Sequence, residues 1–452
     1  YYLTPVSRRS WTIVIGSYVF YAWWRVDFLL LLIGTTVWTY YFGLKIQQFD
    51  GKAAARSFCA IGVAGCLAVL GVFKYLNFFI DSFAAIAGTT PEQLGVHWRL
   101  ILPIGISFYV FQSISYLVDI YRKDAPATKS FIDFAAFIAL FPQLIAGPIL
   151  RFKDLAAQIS GRVHTVAMFT DGMCRFTVGL SKKVLLADAV APIADASFAL
   201  ADPTFAEALL GMVAYSLQLY FDFSGYSDMA IGLGMMMGFR FIDNFNRPYI
   251  SKSITEFWRR WHISLSVWLR DYLYIPLGGN RRGVRRTYVN LITVMVLGGL
   301  WHGASWTFVV WGALHAAYYV VQWLWNKLVP TPQEPRWWAI LLGMFVTFHA
   351  VVLAWVFFRA ESIGDAWLVV TTILTDTGAM PDLGPSRFTT AINVALILFL
   401  LGVQVLQSRG HFSLHFSPSR FPPAIRAAGA ALLVCGIALL GVSSSAFIYF
   451  QF

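Results

Sequence analysis

Apolar runs close to the length of a membrane-crossing helix succeed one another along most of this chain. A crossing needs about 20 predominantly apolar residues. The runs are Trp11–Trp24, Phe28–Ile46, Phe58–Tyr75, Ile101–Tyr121, Phe131–Ile145, Val166–Ala187 and Phe205–Tyr220. Beyond a basic stretch follow Tyr288–Trp325, Trp337–Phe358, Thr389–Leu406 and Ala427–Phe447. With the longest run divided, the series predicts about eleven to thirteen crossings. Trp11–Trp24 and Phe131–Ile145 are short and are read as partial or interfacial elements. The punctuation agrees with this division: Gly147-Pro148 closes one run, Pro330, Pro332 and Pro335 follow another, and residues 375–386 read as an extramembrane loop. The expected fold is all-α, one polytopic membrane bundle over residues 1–452.

Two stretches break the pattern. From Ile254 to Tyr272 the residues Ile254, Phe257, Trp258, Trp261, Leu265, Trp268, Leu269 and Tyr272 recur at helical spacing, while Glu256, Arg259, Arg260 and Arg270 fall elsewhere. That pattern predicts an amphipathic helix, interfacial or re-entrant. The run Tyr288–Trp325 would measure roughly 57 Å as one helix, against a bilayer core of about 30 Å. A break is expected among Gly298, Gly299 and Gly303. Counted from Thr287, His302 then lies roughly 22 Å along the helix, inside the hydrocarbon.

Composition supports a membrane solvent. Of 452 residues, 58% are hydrophobic and 13% charged, whereas soluble domains carry about 25% charged residues. The net charge of +11 is concentrated. Ten basic residues lie between Arg240 and Arg286 against three acids, which is +7 of that total. In a soluble protein such a stretch would suggest nucleic acid. Here it reads as a cytoplasmic face by the positive-inside rule, with no nucleic-acid partner, and as a place able to receive a phosphate-bearing ligand. Residues 240–290 are therefore taken as a basic cytoplasmic or re-entrant region. Cys59, Cys66, Cys174 and Cys435 form no CxxC motif and no Cys/His cluster, so they are read as packing residues, with no metal site. Numbering starts at Tyr1 rather than Met, and the native start is expected upstream.

A histidine deep in a membrane is costly unless paired or facing a polar cavity, so His302 is the leading functional candidate. Imidazole titrates near neutrality and can take a proton from an attacking hydroxyl. The competing reading is a histidine satisfied by a carbonyl or hydroxyl inside the bundle. His262 sits in the amphipathic segment, where contact with headgroups is an equal reading. His315 and His349 are read as packing or polar-network residues. Asp222 and Tyr226, four apart, share a helical face if the helix continues, and Asp228 points elsewhere; cavity lining competes with a simple interfacial turn. No Gly-x-Ser-x-Gly elbow, HExxH or P-loop is present. Nor is there a fixed-period repeat to support a transporter of inverted repeats.

The stretches SYVFYAWWRVDF, LPIGISFYVFQSISY, LIAGPILRFKDL, LYFDFSGYSDMAIGLG, FNRPYISKSITEFWRRWHISLSVWLRDYLYIPLGGNR and LGGLWHGASWTFVVWGALH, with the closing FIYFQF, resemble the membrane-bound O-acyltransferase family, in its alginate-acetylating branch. The resemblance spans Ser17 to Phe452, and its WRRWHISLS…GGLWHG pair is highly specific. It implies that His302 is the essential catalytic histidine and His262 the second active-site histidine. It implies a central funnel or tunnel, for which Asp222, Tyr226, Trp258, Arg259, Trp268, Asp271 and Trp301 are candidate lining or substrate-binding residues. It also implies a further apolar segment before Tyr1. The expected chemistry is transfer of acetyl from acetyl-CoA, a substrate rather than a bound cofactor, with the basic region on the donor side. His302 would activate or position an acceptor hydroxyl, and His262 would orient or polarise the reacting groups. Expected partners are the lipid bilayer, periplasmic acetyl-accepting or polymer-modifying proteins and exported alginate, at the bacterial cytoplasmic (inner) membrane. Rival acceptors are cellulose or another exopolysaccharide, with D-alanyl transfer to teichoic acid a rival reaction. Rivals of another class are a non-catalytic transporter and a secretion scaffold.

Overall fold

The computed structural model describes residues 1–329, 336–376, 422–441 and 447, and among them the regular structure is entirely helical. The chain divides into two compact units, Tyr1–Gly172 with Ala230–Ile242, and Met173–Met229 with Asp243–Phe452.

In the first unit, α1 (Arg9–Ala22), α2 (Val26–Gln48) and α3 (Ala53–Leu70) precede a π-helical turn, Gly71–Tyr75, that runs on into α4 (Leu76–Ile86). The core of the unit is α5 (Ile106–Arg122), buried without interruption from Ile106 to Leu117. Helices α2 and α3 lie against it because glycines face it: a Cβ on Gly43 would strike the Tyr116 ring, and one on Gly62 would meet Leu117 at 2.9 Å. The run expected over Ile101–Tyr121 becomes helical only at Ile106. Gly105 holds φ +75°, and a Cβ there would run into the Leu144 carbonyl oxygen, so only glycine fits this entry. The short run Phe131–Ile145 is not one continuous helix. It forms α6 (Phe131–Ile138) and α7 (Phe141–Leu144), separated ahead of Pro142, with Phe134 to Leu140 buried. The last element of this sequence is α8 (Phe152–Ser160).

Helix α9 (Val166–Ser181) straddles the boundary and continues through a second π-helical turn, Lys182–Ala187, into α10 (Asp188–Phe198). Next comes α11 (Phe205–Met236), which runs unbroken through the polar segment around Asp222, so the interfacial turn is ruled out there. The remaining elements of the second unit are α12 (Ile254–Arg260), α13 (Ile263–Leu269), a third π-helical turn at Arg270–Tyr274, α14 (Val284–His302), α15 (Trp306–Leu328), α16 (Trp337–Arg359), α17 (Ile363–Thr375) and a helix at Pro423–Leu440.

By length and apolarity alone, three described helices suffice to cross a bilayer: Val26–Gln48, the continuous Ala53–Ile86, and Trp337–Arg359. The chain is thus a multi-pass membrane protein. Other helices, α11 and α15 among them, are long enough but carry too many polar residues to qualify on apolarity. Helix α16 differs along its length: Leu341, Leu342, Phe345 and Val346 in its N-terminal half are exposed, as lipid contact requires, while Val351 to Phe358 are mostly buried. The expected run Thr389–Leu406 lies outside the described residues.

Candidate active site

The long run Tyr288–Trp325 is an antiparallel helical hairpin. Helix α14 ends on His302, and Gly303, with φ −155°, leaves the helix. Ser305 then caps α15 by accepting the Thr307 N–H at 3.3 Å. The break therefore falls at Gly303, while Gly298 and Gly299 stay helical. Gly299 serves close packing instead: a Cβ there would collide with the Phe308 carbonyl oxygen and reach Gly312 Cα at 3.2 Å. A Cβ on Gly312 would strike the Met295 carbonyl. The two helices meet backbone to backbone, which fixes the hairpin and with it the height of His302. At 1.5 Å per residue, His302 lies about 27 Å from the start of α14 beside Arg285.

The amphipathic helix expected over Ile254–Tyr272 is not continuous. It breaks at Trp261-His262, where His262 adopts a left-handed conformation, φ +42° and ψ +54°. For a residue with a Cβ this is strained, and it persists only where the surroundings hold it. A loop segment does so by supplying the hydrogen bonds that a continuing helix would have made. Asn246 N–H donates to the Arg260 carbonyl at 2.8 Å, and Ile263 N–H donates to the Asn244 carbonyl at 2.9 Å. Asn244 Oδ1 accepts the Ser264 N–H at 3.2 Å and the Ser264 hydroxyl at 2.8 Å. Asn244 Nδ2 donates to Ser227 Oγ at 3.1 Å.

That network decides the tautomer of His262. A backbone N–H can only donate, so the Asn244 side chain must turn its oxygen toward Ser264. His262 Nδ1, 3.2 Å from the same oxygen, is then the protonated nitrogen. Nε2 is left with a free lone pair, buried and without a protein partner among the described residues. The ring is wholly buried, which rules out the headgroup-contact reading, and it stands edge-on to Phe223 at 4.7 Å between centroids.

His302 and His262 come together, with ring centroids 6.1 Å apart. Around His302 stand Trp301 at 5.0 Å, Trp311 at 5.2 Å and Phe358 at 5.2 Å. Trp301 also reaches His262 at 6.0 Å. Trp258 joins this enclosure through Trp311, 5.9 Å away. The arrangement is a pair of imidazoles inside a wall of aromatic rings, able to accept and pass a proton where bulk water is excluded.

The other candidates have contacts of their own. Asp222 is buried in an ion pair with Lys183 at 2.9 Å. Tyr226 stacks on Phe447 at 4.6 Å. Trp268 packs on Tyr272, Asp271 pairs with its neighbour Arg270 at 2.7 Å, and Arg259 is exposed. Sequence reasoning missed Asn244 and Ser264, which hold His262, and Trp311 and Phe358, which wall His302. It also read His315 as packing or part of a polar network. His315 is buried completely, and neither ring nitrogen has a partner among the described residues. The one local sign was Trp311 and His315 standing four apart on one helix.

The model of the membrane-bound O-acyltransferase family matches residues 96–360, which take in both histidines. The chain is 48% identical over 415 residues to the protein named probable alginate O-acetylase AlgI of Azotobacter vinelandii, covering 91% of this chain and 82% of the relative. It is 52% identical over 412 residues to the protein of the same name in Pseudomonas aeruginosa, covering 89% and 78%. It is 38% identical over 398 residues to a peptidoglycan O-acetyltransferase of Helicobacter pylori, covering 82% and 74%. The chain is an O-acyltransferase and belongs to the membrane-bound O-acyltransferase family.

Proposed function

We propose that this protein moves acetyl from a cytoplasmic thioester, acetyl-CoA, to a hydroxyl acceptor, for O-acetylation of exported alginate at the bacterial inner membrane. The observation that carries the reading is the pairing of His302 with a His262 whose Nε2 lone pair is unspent, in a chain about half identical to proteins named as alginate O-acetylases. His302 takes the proton of the acceptor hydroxyl as its oxygen attacks the thioester carbonyl carbon. The C–O bond forms, the C–S bond breaks, and the proton passes to the departing thiolate. With only an accepting nitrogen free, His262 orients a donor, either the attacking hydroxyl or the His302 ring. It does not polarise the carbonyl, because that would require it to donate. The aromatic wall keeps competing water away from the thioester.

The basic stretch supports the donor side. Arg281, Arg282, Arg285 and Arg286 are exposed, outside every ion pair among the described residues, at the start of the helix that ends on His302. Such a cluster suits the phosphates of CoA. The acetyl is passed on to periplasmic acetyl-accepting or polymer-modifying proteins. The test is transfer of label from acetyl-CoA by the purified protein in vesicles to oligomannuronate or a periplasmic acceptor, beside D-alanyl thioester and cello-oligosaccharide arms. Acetyl transfer that disappears in His302→Ala is expected. Transfer unaffected by that substitution refutes the catalytic role, and preference for D-alanyl or cellulose moves the substrate.

A further inference from the structure

We infer that His315 is a positioning residue: with the indole N–H groups of Trp258 and Trp311 it encloses ordered water, which holds the Trp311 ring against His302. The inference rests on reading His302 as the reacting imidazole. The three rings stand at the corners of a triangle. His315 lies 4.8 Å from Trp311 and 5.1 Å from Trp258, and the two indoles are 5.9 Å apart. All three are buried, and His315 Nδ1 and Nε2, Trp258 Nε1 and Trp311 Nε1 have no protein partner among the described residues. The Tyr318 hydroxyl, one turn further along α15, is likewise buried and unpartnered, with its ring 5.7 Å from His315.

Their chemistry names the guest. Indole N–H only donates, and a neutral imidazole donates once and accepts once. An apolar occupant would leave every one of these groups unsatisfied. Water, which accepts two hydrogen bonds and donates two, matches them. Packing alone does not call for a histidine: the ring lies parallel to Phe257, 9° between planes, a contact phenylalanine would also make. The elements packed around His315 present Phe257 and Trp258 from α12, Trp311 and Tyr318 from α15, and Trp355 from α16, so Tyr318 is the titratable neighbour among these rings. Trp311 touches both His315 and His302, the latter edge-on at 5.2 Å. Water that fixes the Trp311 indole therefore fixes one wall of the reacting imidazole.

His315→Phe keeps the stacked ring and removes both nitrogens, while His315→Gln keeps hydrogen bonding and gives up the ring. Each is scored by acetyl ester per polymer residue in cells that depend on this enzyme, normalised to membrane-inserted protein. His315→Phe is expected to lose about tenfold, the effect of one misplaced contact in the transition state, and His315→Gln to recover most of it. Phenylalanine as active as the parent, or glutamine no better than phenylalanine, overturns the inference. So does an experimental density map that is empty within hydrogen-bonding reach of Trp258 Nε1 and Trp311 Nε1, an observation that needs no activity. His302→Ala runs alongside: if it stays active, the catalytic reading fails whatever the order of the two His315 variants.

Discussion

The second unit buries polar groups in two places and treats them in opposite ways. Where the π-helical turn Lys182–Ala187 meets α11, every charge is matched: Lys183 with Asp188 at 2.8 Å and Asp222 at 2.9 Å, Lys182 with Asp228 at 2.6 Å, Arg175 with Asp228 at 2.9 Å. In the aromatic enclosure the groups are uncharged donors and acceptors, and His262 Nε2, both nitrogens of His315 and two indole N–H groups stay open among the described residues. An unpaired ion in an apolar interior is prohibitively costly, so the first region must close on itself. A neutral imidazole or indole left open costs far less, and its vacant hydrogen bond is available to a substrate or to water. The matched region therefore reads as structure and the unmatched one as chemistry.

Substituting one group in each place tests the contrast most severely. His302→Ala should lower acetyl transfer by about 10²–10⁴-fold, the usual share of a general base, with the melting midpoint in detergent little changed. Lys183→Met should do the reverse. It takes the shared ammonium from Asp188 and Asp222, both nearly inaccessible, and removing one partner of a buried pair costs about 3–5 kcal/mol. The expected readout is loss of folded protein in the membrane fraction before any kinetic effect can be scored. A Lys183→Met protein that stays stable but inactive would move that cluster from structure to chemistry.

Asn244→Ala is the next step down, because it belongs to neither region but braces one. It removes the acceptor of His262 Nδ1, of Ser264 N–H and of the Ser264 hydroxyl. Only the more distant Ser264 hydroxyl, 3.5 Å from Nδ1, then remains to claim its proton, so the tautomer of His262 is less firmly held and its strained backbone loses a support. Loss of an orienting partner for an active-site histidine typically costs about 10–100-fold, by analogy with outer-shell groups of metal-bound histidines. Measured transfer should fall by that order while the unfolding midpoint moves only a few degrees. A fall in stability with activity per folded molecule unchanged would reduce Asn244 to a helix brace.

These residues also mark where the sequence stops being informative. The apolar runs, the division of Tyr288–Trp325 and the depth of His302 follow from helical rise and bilayer thickness. The pairing of His302 with His262 came from the family resemblance, since nothing in their spacing of 40 residues brings them together. The break at His262 was invisible because apolar periodicity continues smoothly across it; it is made by Asn244 and Asn246, reaching in from a loop 14 to 20 residues away. Likewise the acids of α11 looked like a turn or a cavity lining because their counter-ions sit on a π-helical turn some 40 residues earlier, and no local pattern announces such a turn.

The smallest expected effect is the sharpest probe of the boundary between the two regions. Tyr226 lies one turn from Asp222 on α11, and its ring stacks on Phe447 with 28° between planes. If that stacking is its whole role, Tyr226→Phe keeps the contact and removes only the hydroxyl. Acetyl transfer should then stay within about twofold and stability within roughly 0.5 kcal/mol, as for a change that touches no buried network. A loss of tenfold or more in transfer, with the melting midpoint intact, would mean that the hydroxyl meets substrate. The open, uncharged region would then reach α11 between two paired acids, Asp222 one turn before Tyr226 and Asp228 two residues after it, and structure and chemistry would meet within the same two turns of one helix.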